Sequence, residues 1–215
     1  RDAGKHGVLA VPEILMVSSN IGFSKIFDRL GGDRLARWLQ RFHFAEAPPL
    51  PGAAAGELLL PLEDRSFRGA VVAAGEAMKA TPLQMALAYA VIANGGEYVP
   101  PTLSPRSGPA PRERVIKAET ARALTGVLEE VVTNKLGTGK YARLSGVRVA
   151  GKTGTGEYEL PDGKRGYYAS FVGFFPAEKP RFLILVGVEN PRGGAGGGEV
   201  AAPVFARVAS RALGR

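Results

Sequence analysis

The chain of 215 residues contains no cysteine. Disulfide frameworks, cysteine-based zinc sites and thiol catalysis are thereby excluded. Histidine is scarce as well: there are 2, His6 and His43, and no His-x-x-x-His pair. A histidine-based metal site is not expected, and a Ser-His-Asp triad has no local motif behind it. No apolar run approaches the roughly 18 residues of a membrane-spanning helix, and no secretory leader is visible. Long basic runs are also missing. Lys and Arg number 28 against 20 Asp and Glu, a net charge of +8. That balance suits anionic partners, but the scatter of the charges reads as a solvated basic surface, not a nucleic-acid tail. No nucleic acid, metal or cofactor is expected.

Apolar residues make up 45% of the chain, enough to build the core of one large domain or two small ones. The first 145 residues read as mostly helical. Asn20 is expected to cap a helix over 21–30 that Gly31 and Gly32 close, and Asp33 to cap the next, with Leu35, Trp38, Leu39 and Phe42 on one face. Prolines 48, 49 and 51 with Gly52 and Gly56 make 45–68 a surface loop, a candidate lid. Thr81 and Pro82 read as N-cap and first-turn proline of a helix that Gly95 and Gly96 stop, with Leu83, Leu87, Ala90, Val91 and Asn94 at helical spacing. Five prolines (100, 101, 105, 109 and 111) make 100–111 a long loop. Helical spacing returns over 117–134, where Leu124, Val127, Leu128, Val131 and Val132 point inward. The period then changes. Strands are expected at 147–156, 168–175 and 182–189, neighbours in an antiparallel sheet, with a turn at Asp162 and Gly163 between the first two. The third is apolar on both faces and expected to be buried. Glycines and Ala195 over 193–198 form a mobile loop, and 201–213 a closing helix with Pro203 in its first turn.

Residues 146–157 read GVRVAGKTGTGE. Gly146, Gly151, Lys152 and Thr153 fit G-x-x-x-x-G-K-[ST], the phosphate-cradling loop of nucleotide proteins. That loop must follow a buried strand and open a helix. Here KYARLS precedes it, and the glycines and Pro161 that follow allow no helix. Lys152, Thr153 and Gly154 also spell Lys-Thr-Gly, which accompanies Ser-x-x-Lys and Ser-x-Asn in active-serine acyl transferases. Ser18, Ser19 and Asn20 supply Ser-x-Asn, although alone that triplet is a common helix cap.

The stretches MVSSNIGFSKIFDRLG, ATPLQMALAYAVIANGGEYVPP, LEEVVTNKLGTGKYA, VRVAGKTGTGE, YYASFVGFFPAEKPRFLILVGVENP and EVAAPVFARVA together resemble successive blocks of class B penicillin-binding proteins, the D,D-transpeptidases that cross-link peptidoglycan. The resemblance covers most of the chain. It implies an α/β fold, the penicillin-binding and serine β-lactamase-like one, with an antiparallel sheet flanked by helices. It also implies catalytic roles for Ser18, Asn20 and Lys152. Ser18 would pass a proton toward the leaving amine, Asn20 would hold the catalytic lysine and the substrate amide, and Lys152 would supply positive potential. Thr153, Gly154 and Thr155 become substrate-binding: Gly154 lets a substrate backbone lie against the strand, and Thr155 offers its hydroxyl to a carboxylate and its N–H to an oxyanion. Ser-Ser-Asn in place of Ser-Ala-Asp points to the septal, cell-division type over the elongation type.

The implied partners are peptidoglycan stem peptides, β-lactams and membrane proteins of wall synthesis and division, at the outer face of the bacterial cytoplasmic membrane. Departures accompany the match. No serine is followed by lysine three residues later, so the nucleophile motif is missing. The chain also starts with Arg, not Met. The expectation is that residues 1–215 form the C-terminal portion of one transpeptidase domain. The upstream part of the same protein would carry the nucleophile and a membrane anchor, and the chain alone would be inactive. A non-catalytic sensor or scaffold is the alternative. Ala74, Gly75, Glu76 and Ala77 stand where the family shows a Gly-Gln-Gly-like turn, and Gly156 where it often has Ala.

Overall fold

The computed structural model describes residues 2, 4, 6–58, 78–160, 162–192 and 196–214. The expectations for 59–68, 74–77 and 193–195 lie outside them. The chain divides into two compact units, residues 1–14 with 18–121 and residues 15–17 with 122–215. Each is described by itself.

A short helix α1 (Val11–Val17), of which residues 11–14 belong to the first unit, precedes α2 (Asn20–Leu30) of that unit. Ser19, not Asn20, is the cap: its hydroxyl accepts from the Gly22 N–H at 2.9 Å, which leaves Asn20 inside the first turn. Gly31, at φ 80, ends α2 and opens α3 (Gly32–Arg41) without any side-chain cap. Asp33 therefore does not cap; it lies in the first turn, where a carboxylate suits the positive end of the helix dipole. No residue of α3 is fully buried. Strands β1 (Glu57–Leu58) and β2 (Met78–Lys79) form a two-stranded pair.

Helix α4 (Pro82–Ala93) starts at a capping box in which Thr81 and Gln84 bond each other's backbone N–H. Gln84 is buried and donates to the carbonyls of Phe44 and Glu46 at 3.1 and 3.0 Å. The buried positions of α4 are Gln84, Ala88 and Val91, so of the residues noted at helical spacing only Val91 is fully covered. This helix is apolar nearly all round, and spacing alone cannot select its inner face. Gly95 and Gly96, both at positive φ, end it. The prolines of 100–111 then span the connection between β3 (Glu97–Tyr98) and β4 (Glu113–Arg114).

The second unit holds most of α5 (Ala118–Thr133), whose Leu128, Val131 and Val132 are buried, and a 3₁₀ turn at Lys140–Ala142. It also holds an antiparallel sheet of β5 (Ala150–Glu159), β6 (Arg165–Phe175) and β7 (Phe182–Glu189), in that order, and the closing helix α6 (Gly197–Ala212). The expected antiparallel neighbours are thus observed, with shifted limits. Val147 is not in the strand; it bridges back to Leu144 across Gly146, at φ 67. Strand β6 starts earlier than expected because the turn at Asp162 and Gly163 is tight: Leu160 N–H donates to Lys164 O at 2.8 Å.

Strand β7 is half-buried along 182–186, not buried as expected, because it stands at the end of the described sheet. Helix α6 begins at Gly197, before Ala201, so Pro203 falls past the first turn, where its missing N–H forgoes a helical bond. Ala201, Ala202, Phe205 and Ala209 of α6 are fully buried and join Val132, Ala142, Val149, Phe171 and Phe175 in one core. The Phe205 ring meets Phe171 at 4.8 Å and Phe175 edge-on at 5.7 Å, geometries that favour aromatic pairs. Among the described residues no helix is long and apolar enough to cross a membrane, and no His, Asp and Glu group gathers as for a metal.

Candidate active site

Lys152, Thr153, Gly154 and Thr155 lie in mid-strand on β5, opposite Val172, Phe171, Ser170 and Ala169 of β6. The extended backbone continues to Glu159, so no helix opens after Thr153. The phosphate-loop pattern therefore has neither its turn nor its helix dipole, and the nucleotide reading falls. On its other side β5 pairs with no strand among the described residues, which leaves a row of backbone groups suited to an extended peptide.

Side chains alternate along β5. Gly151, Thr153 and Thr155 face the side on which Phe171 and α6 pack. A Cβ at Gly151 would press on the Phe171 ring at 2.5 Å. The Thr153 hydroxyl is 2.7 Å from the Thr138 hydroxyl, and the Thr155 hydroxyl accepts from the Gly197 N–H at 3.2 Å. Gly197 has no room for a side chain: a Cβ there would overlap the carbonyls of Ser170 and Gly154. The first turn of α6 is thus seated on β5 at the Thr-Gly-Thr step. Thr155 is exposed. A hydroxyl has one proton and two lone pairs, so with Gly197 on its acceptor side Thr155 retains a donor.

Lys152 and Gly154 face the opposite side. Lys152 is half-buried, and its Nζ donates to the Thr153 carbonyl at 3.0 Å. Burial lowers its pKa to about 8, because a low-dielectric setting disfavours the ammonium. At neutral pH the ammonium still predominates, within easy reach of proton exchange. A Cβ at Gly154 would sit 2.5 Å from the Ser170 hydroxyl. A rotation of the Ser170 hydroxyl would relieve that contact, so internal packing alone does not require glycine there.

Ser18 and Asn20 belong to the first unit. Ser18 occupies the turn between α1 and α2 at φ 57, an uncommon conformation for a residue other than glycine. Ser19 is buried. Its N–H donates to Ile14 O at 3.0 Å, and its hydroxyl caps α2 while donating to the Asp2 carboxylate at 2.7 Å. Asp2 also accepts the Ile21 N–H at 3.0 Å. That backbone bond, with Ser19, lowers the Asp2 pKa. Two cavities of the first unit, about 350 and 440 Å³, are lined by none of the six predicted site residues.

The residue that reading the sequence missed is Thr138. A signal existed: Gly-Thr-Gly occurs at 137–139 and again at 154–156. The first of these runs precedes the 3₁₀ turn at Lys140–Ala142 and the second lies within β5.

The family model described as the penicillin binding protein transpeptidase domain matches residues 2–210. The chain is 34% identical over 95% of its length to stage V sporulation protein D of Bacillus subtilis, covering 34% of that protein. It is 32% identical over 97% of its length to the peptidoglycan D,D-transpeptidase FtsI of Escherichia coli, covering 36% of it. The chain therefore spans about a third of the length of these curated relatives. Among solved structures it superposes on the apo TP domain of Burkholderia pseudomallei penicillin-binding protein 3 with a TM-score of 0.87 and 35% identity, over 99% of this chain and 67% of that one. Against Mycobacterium tuberculosis penicillin-binding protein 3 complexed with ampicillin the TM-score is 0.83 with 30% identity, over 100% of this chain and 53% of that one.

Proposed function

The chain belongs to the penicillin-binding protein transpeptidase family, and on that premise we propose that β5 forms the substrate wall of a serine acyl-transfer site that cross-links peptidoglycan. The observation that carries this reading is the make-up of β5. It combines an edge without a strand partner among the described residues, a bare Gly154, a half-buried Lys152 with a lowered pKa, and a Thr155 hydroxyl that retains a donor. In the reaction a serine Oγ outside these 215 residues attacks the carbonyl between two D-alanines of a stem peptide. The terminal D-alanine leaves with a proton on its amine. The amine of a neighbouring stem peptide then attacks the ester and returns the serine.

The Thr155 hydroxyl holds the peptide carboxylate, Lys152 supplies positive potential, Thr153 and Gly154 line the strand, and the Thr155 N–H serves the oxyanion. Ser18 relays the proton and Asn20 holds the substrate amide. Acid–base help of this kind contributes roughly 10²–10⁴ in rate. No cofactor takes part.

The match to an ampicillin-complexed relative supports β-lactams as inhibitors. The likeness to FtsI and to the sporulation protein, with Ser-Ser-Asn, supports a septal duty at the outer face of the cytoplasmic membrane, alongside membrane proteins of wall synthesis. The coverage of a third of these relatives and the absence of Ser-x-x-Lys support a nucleophile and an anchor elsewhere in the protein. That same absence is the one observation favouring a non-catalytic sensor.

Fluorescent penicillin decides between the two. The full-length protein is expected to be labelled covalently, with Lys152→Ala reducing labelling by about a hundredfold or more, the size of one lost oxyanion-type donor. Covalent labelling of the isolated 215-residue chain would overturn the assignment. A full-length protein that binds but never acylates would be the sensor.

A further inference from the structure

Resting on the reading of β5 as the substrate wall, we propose that Thr138 is a positioning residue that acts through Thr153. The two hydroxyls lie 2.7 Å apart across 15 residues of sequence, an ordinary O–H···O length. One of them donates and the other accepts. When Thr138 donates, Thr153 keeps its own proton for a ligand; in the reverse sense that proton is turned into the protein. Thr155 shows which polarity this side of β5 is built for. The Gly197 N–H can only donate, and it fills the acceptor side of Thr155. Thr153 and Thr155 project to the same side of the strand. Thr138 does for Thr153 with a side chain what Gly197 does for Thr155 with the backbone, and both hydroxyls are left as donors toward an acceptor-only group.

The surroundings hold Thr138 from three directions. The Gly139 N–H donates to Val131 O at 2.9 Å, tying the loop to the end of α5. A Cβ at Gly139 would lie 3.1 Å from the Phe171 ring of β6. The Thr138 carbonyl lies against Gly198 in the first turn of α6, where a Cβ would overlap it. A β-branched side chain in so tight a loop has few rotamers, so its hydroxyl points one way. On the Thr153 side, the methyl group packs 3.6 Å from the position a Cβ at Gly198 would take. The hydrogen bond to Thr138 is what ties that side chain down.

The test is acylation of the full-length protein by fluorescent penicillin over a range of concentrations. This separates apparent binding from the limiting acylation rate; Tm is measured in parallel. Thr138→Val keeps the shape and loses the hydroxyl, whereas Thr138→Ser keeps the hydroxyl. The valine variant is expected to lose about tenfold to a hundredfold in acylation efficiency, the size of one hydrogen bond to a charged group. The serine variant should stay close to wild type, with similar Tm values for both. Thr153→Val should reproduce the loss, and Thr138→Val should add nothing in that background.

If the valine variant does not fold, Thr138→Ala against Thr138→Ser is judged by the same criterion. Wild-type acylation in Thr138→Val, or a loss that serine does not rescue, overturns the proposal. Lys152→Ala separates the two levels. If it acylates normally, the reading of β5 itself fails. If it is impaired while Thr138→Val is normal, only the role of Thr138 falls.

Discussion

The strand and the turn that carry the predicted site residues are held by opposite means. Lys152, Thr153, Gly154 and Thr155 sit inside a strand of 10 residues paired with β6 from Ala150 to Glu159. Phe171, Phe175 and Phe205 are fully buried in the core of the same unit. Ser18 sits in a turn between two helices, at an uncommon dihedral and next to Ser19, whose hydroxyl caps α2 and bonds Asp2. The strand is set by its ladder and by a buried core, and the turn by a handful of hydrogen bonds, one of which reaches back 17 residues to Asp2. The strand should therefore fail through its core, and the turn through single hydrogen bonds.

The largest expected effect lies on the strand side. Phe205→Ala removes a fully buried ring from between Phe171 and Phe175 and should cost about 3–5 kcal/mol in urea denaturation. A cost near that of a surface change would mean that packing does not hold the sheet.

A second effect follows from Lys152, whose native pKa of about 8 lies below its ordinary 10.5. Between those values the unfolded chain binds more protons than the native one, so stability rises with pH across that window. Below it the buried ammonium penalises the fold in full, and above it both states are neutral. Lys152→Met should flatten this rise in denaturation curves taken from pH 7.5 to 10.5; an unchanged slope would assign it to another group.

On the turn side the expected effects shrink. Ser19→Ala removes the cap of α2 and the bond to Asp2 and should cost about 1 kcal/mol, read as a drop in Tm. The smallest change has the opposite sign. Ser18→Gly relieves a left-handed conformation that costs a non-glycine residue about 1–2 kcal/mol, part of which is offset by the added freedom of the unfolded glycine. Tm should rise slightly while penicillin labelling of the full-length protein falls. A fall in both would show that Ser18 is not strained.

Legibility in the sequence tracked how far along the chain each contact reaches. The cap at Thr81, the stop at Gly95 and Gly96 and the turn at Asp162 and Gly163 depend on neighbours within a few residues, and their letters announce them. The cap of α2 was misplaced by one residue because both Ser19 and Asn20 are good cap types, and only the left-handed Ser18 shows where the helix begins. The start of β5 was misjudged because Val147 and Val149 alternate as a strand would, yet Gly146 turns that stretch back on Leu144. The half-burial of β7 could not be read from its apolar letters, since burial depends on what lies beside a strand.

By itself the sequence determined the chemistry on offer: no thiol, scarcely a histidine, a Lys-Thr-Gly run with a Ser-x-Asn companion, and a helical stretch followed by antiparallel strands. Those depend on residue type and short-range geometry, which composition and spacing encode. Only the tertiary structure decided that the Thr155 hydroxyl receives the first turn of α6, that Gly197 must be bare against the carbonyls of Ser170 and Gly154, and that Thr138 reaches Thr153. Each of these joins residues far apart in the chain or on facing strands, and no local pattern carries the approach of one backbone to another.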